Sequence, residues 1–258
     1  MTKQWVRREP PRFLAVEVAA VEVRSPRLLR VTFTGADLRD MEPSLPAASV
    51  RLLVPSHGTG ALVVPTWNGN EFLLPDGSRP TIRTYTPLNH DTGAGRLDLD
   101  VVLHEGGAVA AWAQGAAPGD PAAISGPGRG YEIDPAVTSY VLAGDEAALP
   151  AIGQLLEHLP ASVEVQVLAE VASPDARIEL PAHRGATITW LDLPPGAPAG
   201  DALVAAVAAA EIPADAHVWA AGEAAAVQRM RKHLFEERGV GRSQATVRGY
   251  WKHGRVGD

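Results

Sequence analysis

Arg83-Thr84-Tyr85-Thr86-Pro87 is the stretch of this chain whose residue types and spacing could do chemistry most directly. On an extended strand, where side chains alternate, Arg83 and Tyr85 share a face. A guanidinium can fork onto a phosphate, and a phenol offers a flat ring and a hydroxyl to a planar ligand. Thr86 adds a backbone N–H and a hydroxyl just beyond, and Pro87 holds it extended. A phosphorylated cofactor with an aromatic ring, such as a flavin, would use all three. The same residues also suit an ordinary strand with the tyrosine packed and the arginine solvated. The stretch therefore needs company before it reads as a site.

The company lies downstream. Asp100-Val101-Val102-Leu103-His104-Glu105-Gly106-Gly107 comes first, then Ala108, Trp112-Ala113, Gly119-Asp120 and Ile124-Ser125-Gly126-Pro127-Gly128-Arg129-Gly130. Leu142-Ala143-Gly144-Asp145-Glu146-Ala147-Ala148-Leu149-Pro150-Ala151-Ile152 follows, and Gly249-Tyr250-Trp251-Lys252-His253-Gly254 stands near the C-terminus. In this order the motifs resemble the siderophore-interacting protein family, FAD-dependent ferric-siderophore reductases within the ferredoxin–NADP reductase-like superfamily.

The resemblance implies FAD held by Arg83, Thr84, Tyr85, Thr86, Asp100, Val102, His104, Gly106, Gly107, Ala108 and Trp112. It places Tyr85 against the flavin, Thr86 near its N5 and Arg83 on phosphate, with Tyr85 and Thr86 nearest the chemistry. It implies NAD(P)H as electron donor, with a reduced ferredoxin as the alternative, and a ferric siderophore as acceptor. Oxygen-rich siderophores favour the harder Fe(III), so reduction to Fe(II) loosens the metal. Family members usually carry Gly-Pro-Ala-Ser before the tryptophan. This chain has Gly107-Ala108-Val109-Ala110 and so lacks the proline and the serine hydroxyl. Backbone N–H groups at a helix start still suit a pyrophosphate, with a weaker hold on flavin expected.

The elements that must position these residues fall into two grammars. Short strand-like runs separated by turns extend from Phe13 to Ile124, and Ser56 to Pro80, with four glycines and three prolines, reads largely as loop. This predicts an antiparallel six-stranded β-barrel, the FAD-binding domain, over residues 1–135. From Ser139 apolar strands alternate with helical patterns, with Asp145 capping one helix and Glu223 to Arg238 forming another. That predicts an open, mostly parallel α/β domain over residues 136–258. Ligands of such sheets gather at the carboxyl ends of the strands, here Gly144-Asp145 and Gly222-Glu223. The resemblance assigns that region to NAD(P)H. Asp145 and Glu146 would repel phosphate, so they are expected as caps or solvent-facing groups.

A ferric siderophore with carboxylate or catecholate ligands is an anion, and Arg51, Arg129, Arg248, Lys252 and Arg255 are the candidate cations for it. Each also suits a plain solvated charge. The chain has 258 residues, a net charge of −7 and no cysteine. That composition argues against non-specific nucleic-acid or anionic-membrane binding and excludes disulfides, thiolate metal sites and cysteine-held iron–sulfur clusters. The redox chemistry must come from a bound organic cofactor or from the substrate. The eight histidines show no metal-ligand spacing, so no metal site is expected. The N-terminus lacks a signal-peptide pattern, so a cytoplasmic monomeric enzyme is the expectation. Two alternatives stand beside the reductase: a related flavin reductase with another acceptor such as a quinone, and a non-catalytic siderophore-binding protein.

Overall fold

The computed structural model describes residues 12–56 and 61–254. Its first half contains strands β1 (Phe13–Ser25), β2 (Leu28–Thr34), β3 (Val50–Leu53), β4 (Thr66–Trp67), β5 (Phe72–Leu73), β6 (Ile82–Tyr85), β7 (Leu88–Asp91), β8 (Arg96–Val102) and β9 (Pro121–Ser125). One helix, α1 (Ala108–Gly115), interrupts them. Seven of these strands form one sheet in the order β6-β3-β9-β1-β2-β8-β7, every neighbouring pair antiparallel. The sheet curls until β6 comes beside β8, giving a barrel-like form. The period-2 pattern makes it so: Leu29, Val31 and Phe33 of β2 and Leu97, Leu99 and Val101 of β8 all bury on one face. Each such side chain contributes about 1.5–3 kcal/mol when fully buried.

Three features differ from the sequence expectation. The sheet has seven strands rather than six, because Leu88–Asp91 folds back onto β8. The supposed loop from Ser56 to Pro80 contains a small ribbon, β4 against β5, where Trp67 packs on Phe72 at 5.0 Å. Phe13–Ser25 is one long strand rather than two short ones.

The second half holds a five-stranded sheet of β10 (Ser139–Gly144), β11 (Glu164–Val171), β12 (Ala186–Asp192), β13 (His217–Glu223) and β14 (Ala245–Trp251). All neighbours are parallel, in the order β12-β11-β10-β13-β14. Helix α2 (Leu149–His158) packs on one face with Leu142, Val167 and Trp219. Helices α3 (Asp201–Ala209) and α4 (Ala224–Lys232) cover the other face, against Val141, Val218 and Ala220. The predicted helix from Glu223 to Arg238 is α4 followed by a π-helical turn, His233–Glu237, with Glu223 as its cap rather than its first residue. In a sheet of this order successive strands are added on one side of β10 and then on the other, so the strand order switches between β10 and β13 and opens a crevice at their carboxyl ends. Gly144 and Gly222 stand there.

Candidate active site

The β3–β6 ladder sets Arg83 opposite Leu52, Tyr85 opposite Val50, and Thr84 opposite Arg51. Arg83 and Tyr85 therefore share a face, and Arg51 with Thr84 takes the other. Tyr85 is half-buried against the barrel's apolar cluster. Burial pushes its phenol well above the usual range, only partly opposed by the Arg83 charge. It is therefore a neutral O–H group at ordinary pH. The Arg83 guanidinium is steadied by donating to the Ile82 carbonyl at 2.7 Å. Thr86 is buried, and Tyr250 of β14 reaches across to lie beside it. Burial, partly opposed by Arg248, leaves the Tyr250 phenol pushed up to about 12.

Helix α1 packs on β2 and β8, and the residues leading into its N-terminus are exposed. Gly107 is its cap residue, no side chain caps it, and its first turn carries no acid. Ala108 is the first helical residue, and Gly106 before the cap takes φ 75°, a left-handed conformation that favours glycine. A Cβ at Gly107 would sit 2.7 Å from the exposed His104 ring, which would have to turn aside to admit it. The exposed His104 ring lies with Nδ1 3.1 Å from the Glu105 carbonyl. An uncapped helix start with no acid in its first turn, preceded by glycines, suits the pyrophosphate of a dinucleotide cofactor.

Two residues expected to touch the cofactor are already engaged. Asp100 forms a two-point ion pair with Arg30, at 2.8 and 2.9 Å, on the sheet face away from Leu99 and Val101. Trp112 stacks on Phe33 at 6.3 Å and 4°, so it anchors α1 to the barrel. Val102 is half-buried opposite Leu28.

At the crevice the acids are spent on protein. Asp145 is buried and accepts from Ala147 N–H (3.0 Å), Glu223 N–H (2.9 Å) and the Trp251 indole Nε1 (2.7 Å). Burial raises its carboxyl to about 6, against the opposing pull of the Trp251 bond. Glu223 caps α4 by accepting from Ala225 N–H (2.6 Å) and Ala226 N–H (3.0 Å), and it also receives His253 N–H at 3.2 Å. Both carboxylates are engaged by protein N–H groups, as expected of Asp145 as a cap. The glycines are what open the crevice: a Cβ on Gly222 would lie 2.6 Å from Asp145 Oδ2, and one on Gly144 2.5 Å from the Ala148 Cβ.

Of the candidate cations, Arg129 and Arg248 come together, with Arg248 Nη1 3.5 Å from the Arg129 carbonyl. Lys252 is exposed just past β14. Arg51 sits on the ladder face opposite Arg83, apart from the others, and Arg255 lies outside the described residues. Among the described residues no group of His, Asp or Glu is placed to hold a metal ion, and no helix is long and apolar enough to cross a membrane.

The sequence reading missed Tyr250, Trp251 and Gln154. Tyr250 and Trp251 stood in a quoted motif, but their reach depends on a register shift between β13 and β14, where Gly222 pairs Gly249 and Glu223 pairs Trp251. Such a bulge re-aims side chains and leaves no mark in residue types.

Comparison with family models decides the family. Residues 137–254 match the model described as siderophore-interacting protein. Residues 17–131 match the siderophore-interacting FAD-binding domain. The chain belongs to the siderophore-interacting protein family. It is similar to a siderophore utilization protein from T. fusca, whose crystal structure shares 36% identity, a TM-score of 0.84, and coverage of 96% of this chain and 95% of that one. It is 29% identical to the ferric vibriobactin reductase ViuB of Vibrio cholerae over 90% of this chain and 86% of that protein. It is 34% identical to the NADPH-dependent ferric-chelate reductase of Escherichia coli over 73% of each. As a member of this family the protein is an FAD- and NAD(P)H-dependent oxidoreductase.

Proposed function

We propose that this protein takes electrons from NAD(P)H and delivers them singly to Fe(III) held in a siderophore, so that iron leaves as Fe(II). The observation that carries this reading is the junction at Thr86. The end of the Arg83–Thr86 strand meets Tyr250 of β14 there, beside the crevice framed by Gly144 and Gly222. A ring on Tyr85 and a nucleotide at the crevice are thereby brought toward each other across the two halves of the chain.

FAD, when bound, supplies the conversion of an electron pair from NAD(P)H into single electrons. Arg83 and the start of α1 would hold its phosphates, and Tyr85 would lie against its ring as a neutral phenol. Thr86 is buried beside Tyr250, next to Tyr85. Gly144 and Gly222 leave room for the nucleotide backbone. Arg129, Arg248 and Lys252 supply positive charge for an anionic ferric complex. No side chain needs to act as acid or base, because each Fe(III) takes one electron and each NAD(P)H serves two ferric complexes. We place the enzyme in the cytoplasm, where NAD(P)H is available, and read it as a monomer of two domains, residues 1–135 and 136–258. A net charge of −7 offers an acidic ferredoxin little attraction as an alternative donor.

The test is the visible spectrum of the purified protein under anaerobic conditions. A flavin spectrum that bleaches with NADPH or NADH and recovers on adding a ferric siderophore is the expected result. Recovery with quinone but not with ferric siderophore would move the acceptor. A colourless protein that refuses FAD while binding the siderophore would make it a non-catalytic carrier.

A further inference from the structure

One side chain joins the two halves of the chain at the base of the Tyr85 strand. Gln154, on α2, donates from Nε2 to the Pro87 carbonyl at 2.6 Å and accepts the Ala47 N–H on Oε1 at 2.9 Å. Both partners are buried. Ala47 leads into β3 and Pro87 leaves β6, and these two strands pair through Val50 and Tyr85. The amide therefore bridges the base of the strand pair that carries Arg83 and Tyr85, and it does so from the nucleotide-binding half.

Two further observations show that this tie bears on orientation. Ala47 holds φ 53°, a left-handed conformation costly for a residue with a Cβ. Such a conformation persists only where its surroundings fix it, and the Gln154 bond to its N–H does so, together with packing of Ala47 into the cluster around Leu142 and Ile152. Behind the tie the two halves part around a cavity of about 330 Å³ lined by Arg30, Leu88, Asn89, Gly153, Gln154 and Leu180, among others. Around it the halves are joined by polar ties as well as by the packing of Ala47 and Tyr131 into the cluster of Leu142, Leu149 and Ile152. The polar ties include Gln154 and the Arg27–Glu146 pair, at 3.0 Å to each carboxylate oxygen.

We propose that Gln154 is a positioning residue that sets the Arg83–Thr86 strand against the nucleotide crevice and so governs electron entry from NAD(P)H. This rests on the reductase reading above. The amide suits the role because it donates at one end and accepts at the other, and it carries no charge that pH could alter. A glutamate would still accept from Ala47 but would set a carboxylate oxygen against the Pro87 carbonyl.

The test uses Q154M and Q154E, with E157Q, on the same helix and lining the same cavity, as control. In the flavin-free proteins, hydrogen exchange over residues 45–50 is expected to rise in Q154M and stay near wild type in Q154E and E157Q. In the flavin-loaded proteins, bleaching by NADPH is expected to slow about 10- to 100-fold in Q154M and Q154E, the range of a misplacement near 1 Å. Reoxidation by ferricyanide, which needs no docking, is expected to stay within twofold of wild type. Unchanged bleaching in both variants would overturn the proposal. So would bleaching, reoxidation and FAD affinity falling together, which marks a merely structural residue. A wild-type protein that holds flavin but is bleached by neither nucleotide would instead sink the reductase reading, and the positioning role with it.

Discussion

The indole Nε1 of Trp251 donates to the carboxylate of Asp145 at 2.7 Å, tying the carboxyl end of β14 to that of β10. The same carboxylate accepts the Glu223 N–H at the end of β13. One buried acid thus holds together the three strand ends that frame the nucleotide crevice. Burial nevertheless outweighs these donors and raises its carboxyl from 3.8 to about 6.

That shift sets a pH dependence with a definite sign. A group whose folded pKa is raised contributes stability that is fully present below its unfolded value and lost as pH climbs through the folded one. For Asp145 the window runs from 3.8 to about 6, and the loss amounts to about 3 kcal/mol at 1.36 kcal/mol per unit. In D145N the amide oxygen can accept but the amide NH₂ confronts donors, so the variant is expected to be less stable than wild type at pH 5. The gap is expected to narrow at pH 8, where wild type has lost its own contribution. Urea midpoints of both proteins at the two pH values measure the difference; a gap that widens with pH contradicts the assignment.

Gly222 is expected to be intolerant of any side chain. It holds φ 155°, and a Cβ would lie 2.6 Å from Asp145 Oδ2, a rigid neighbour fixed by three hydrogen bonds. G222A should cost about 1–3 kcal/mol in backbone strain and release the Trp251 indole. Thermal unfolding reads the first effect, and a red-shifted tryptophan emission reads the second. A wild-type spectrum in G222A would show that the carboxylate moves aside freely.

How far the sequence foretold this arrangement depended on whether a signal was local. Arg83 and Tyr85 share a face because alternation along a strand is a property of the chain itself. The capping role of Asp145 was legible for the same reason, since a short polar residue before an apolar helical pattern has a near-neighbour partner. The ion pair of Asp100 was not legible because its partner, Arg30, lies 70 residues away across the β2–β8 ladder. Trp112 stands in a motif that the resemblance gives to the flavin, and its stack on Phe33 is visible only in three dimensions. Gln154 was invisible: nothing about a glutamine on an amphipathic helix says that Ala47 and Pro87 will meet its two ends. The extra strand at Leu88–Asp91 was hidden because its polar Asn89, His90 and Asp91 lack the apolar alternation that marks a half-buried strand.

Arg83 should control flavin affinity rather than turnover of flavin once bound. A charged hydrogen bond to phosphate is worth about 1.5–3 kcal/mol, so R83A is expected to weaken FAD binding by about 10- to 100-fold. R83K should recover only part of this, since an ammonium cannot reproduce the guanidinium fork. Arg51, on the opposite face of the same ladder, supplies the control. R51A is expected to leave the FAD dissociation constant, read by quenching of flavin fluorescence, within twofold of wild type. Equal losses in R83A and R51A would show that the ladder faces do not separate their roles.

The cations near the end of β14 make a prediction about the acceptor alone. Arg248 reaches the Arg129 carbonyl, which brings two guanidinium-bearing segments from different domains to one place, and Lys252 stands exposed beyond them. Charges this exposed are screened over about 8 Å at physiological ionic strength, so they act on encounter and on the weak binding of an anion more than on the electron step. R248A and K252A are each expected to raise KM for an anionic ferric siderophore severalfold, with bleaching by NADPH unchanged. The wild-type KM should itself rise with added salt, and the slope of that rise should shrink in the variants. Turnover of a neutral ferric hydroxamate should respond to neither salt nor substitution. If the neutral and anionic complexes suffer alike in R248A, the arginine is acting through its hold on the Arg129 segment, and its charge is not what the substrate meets.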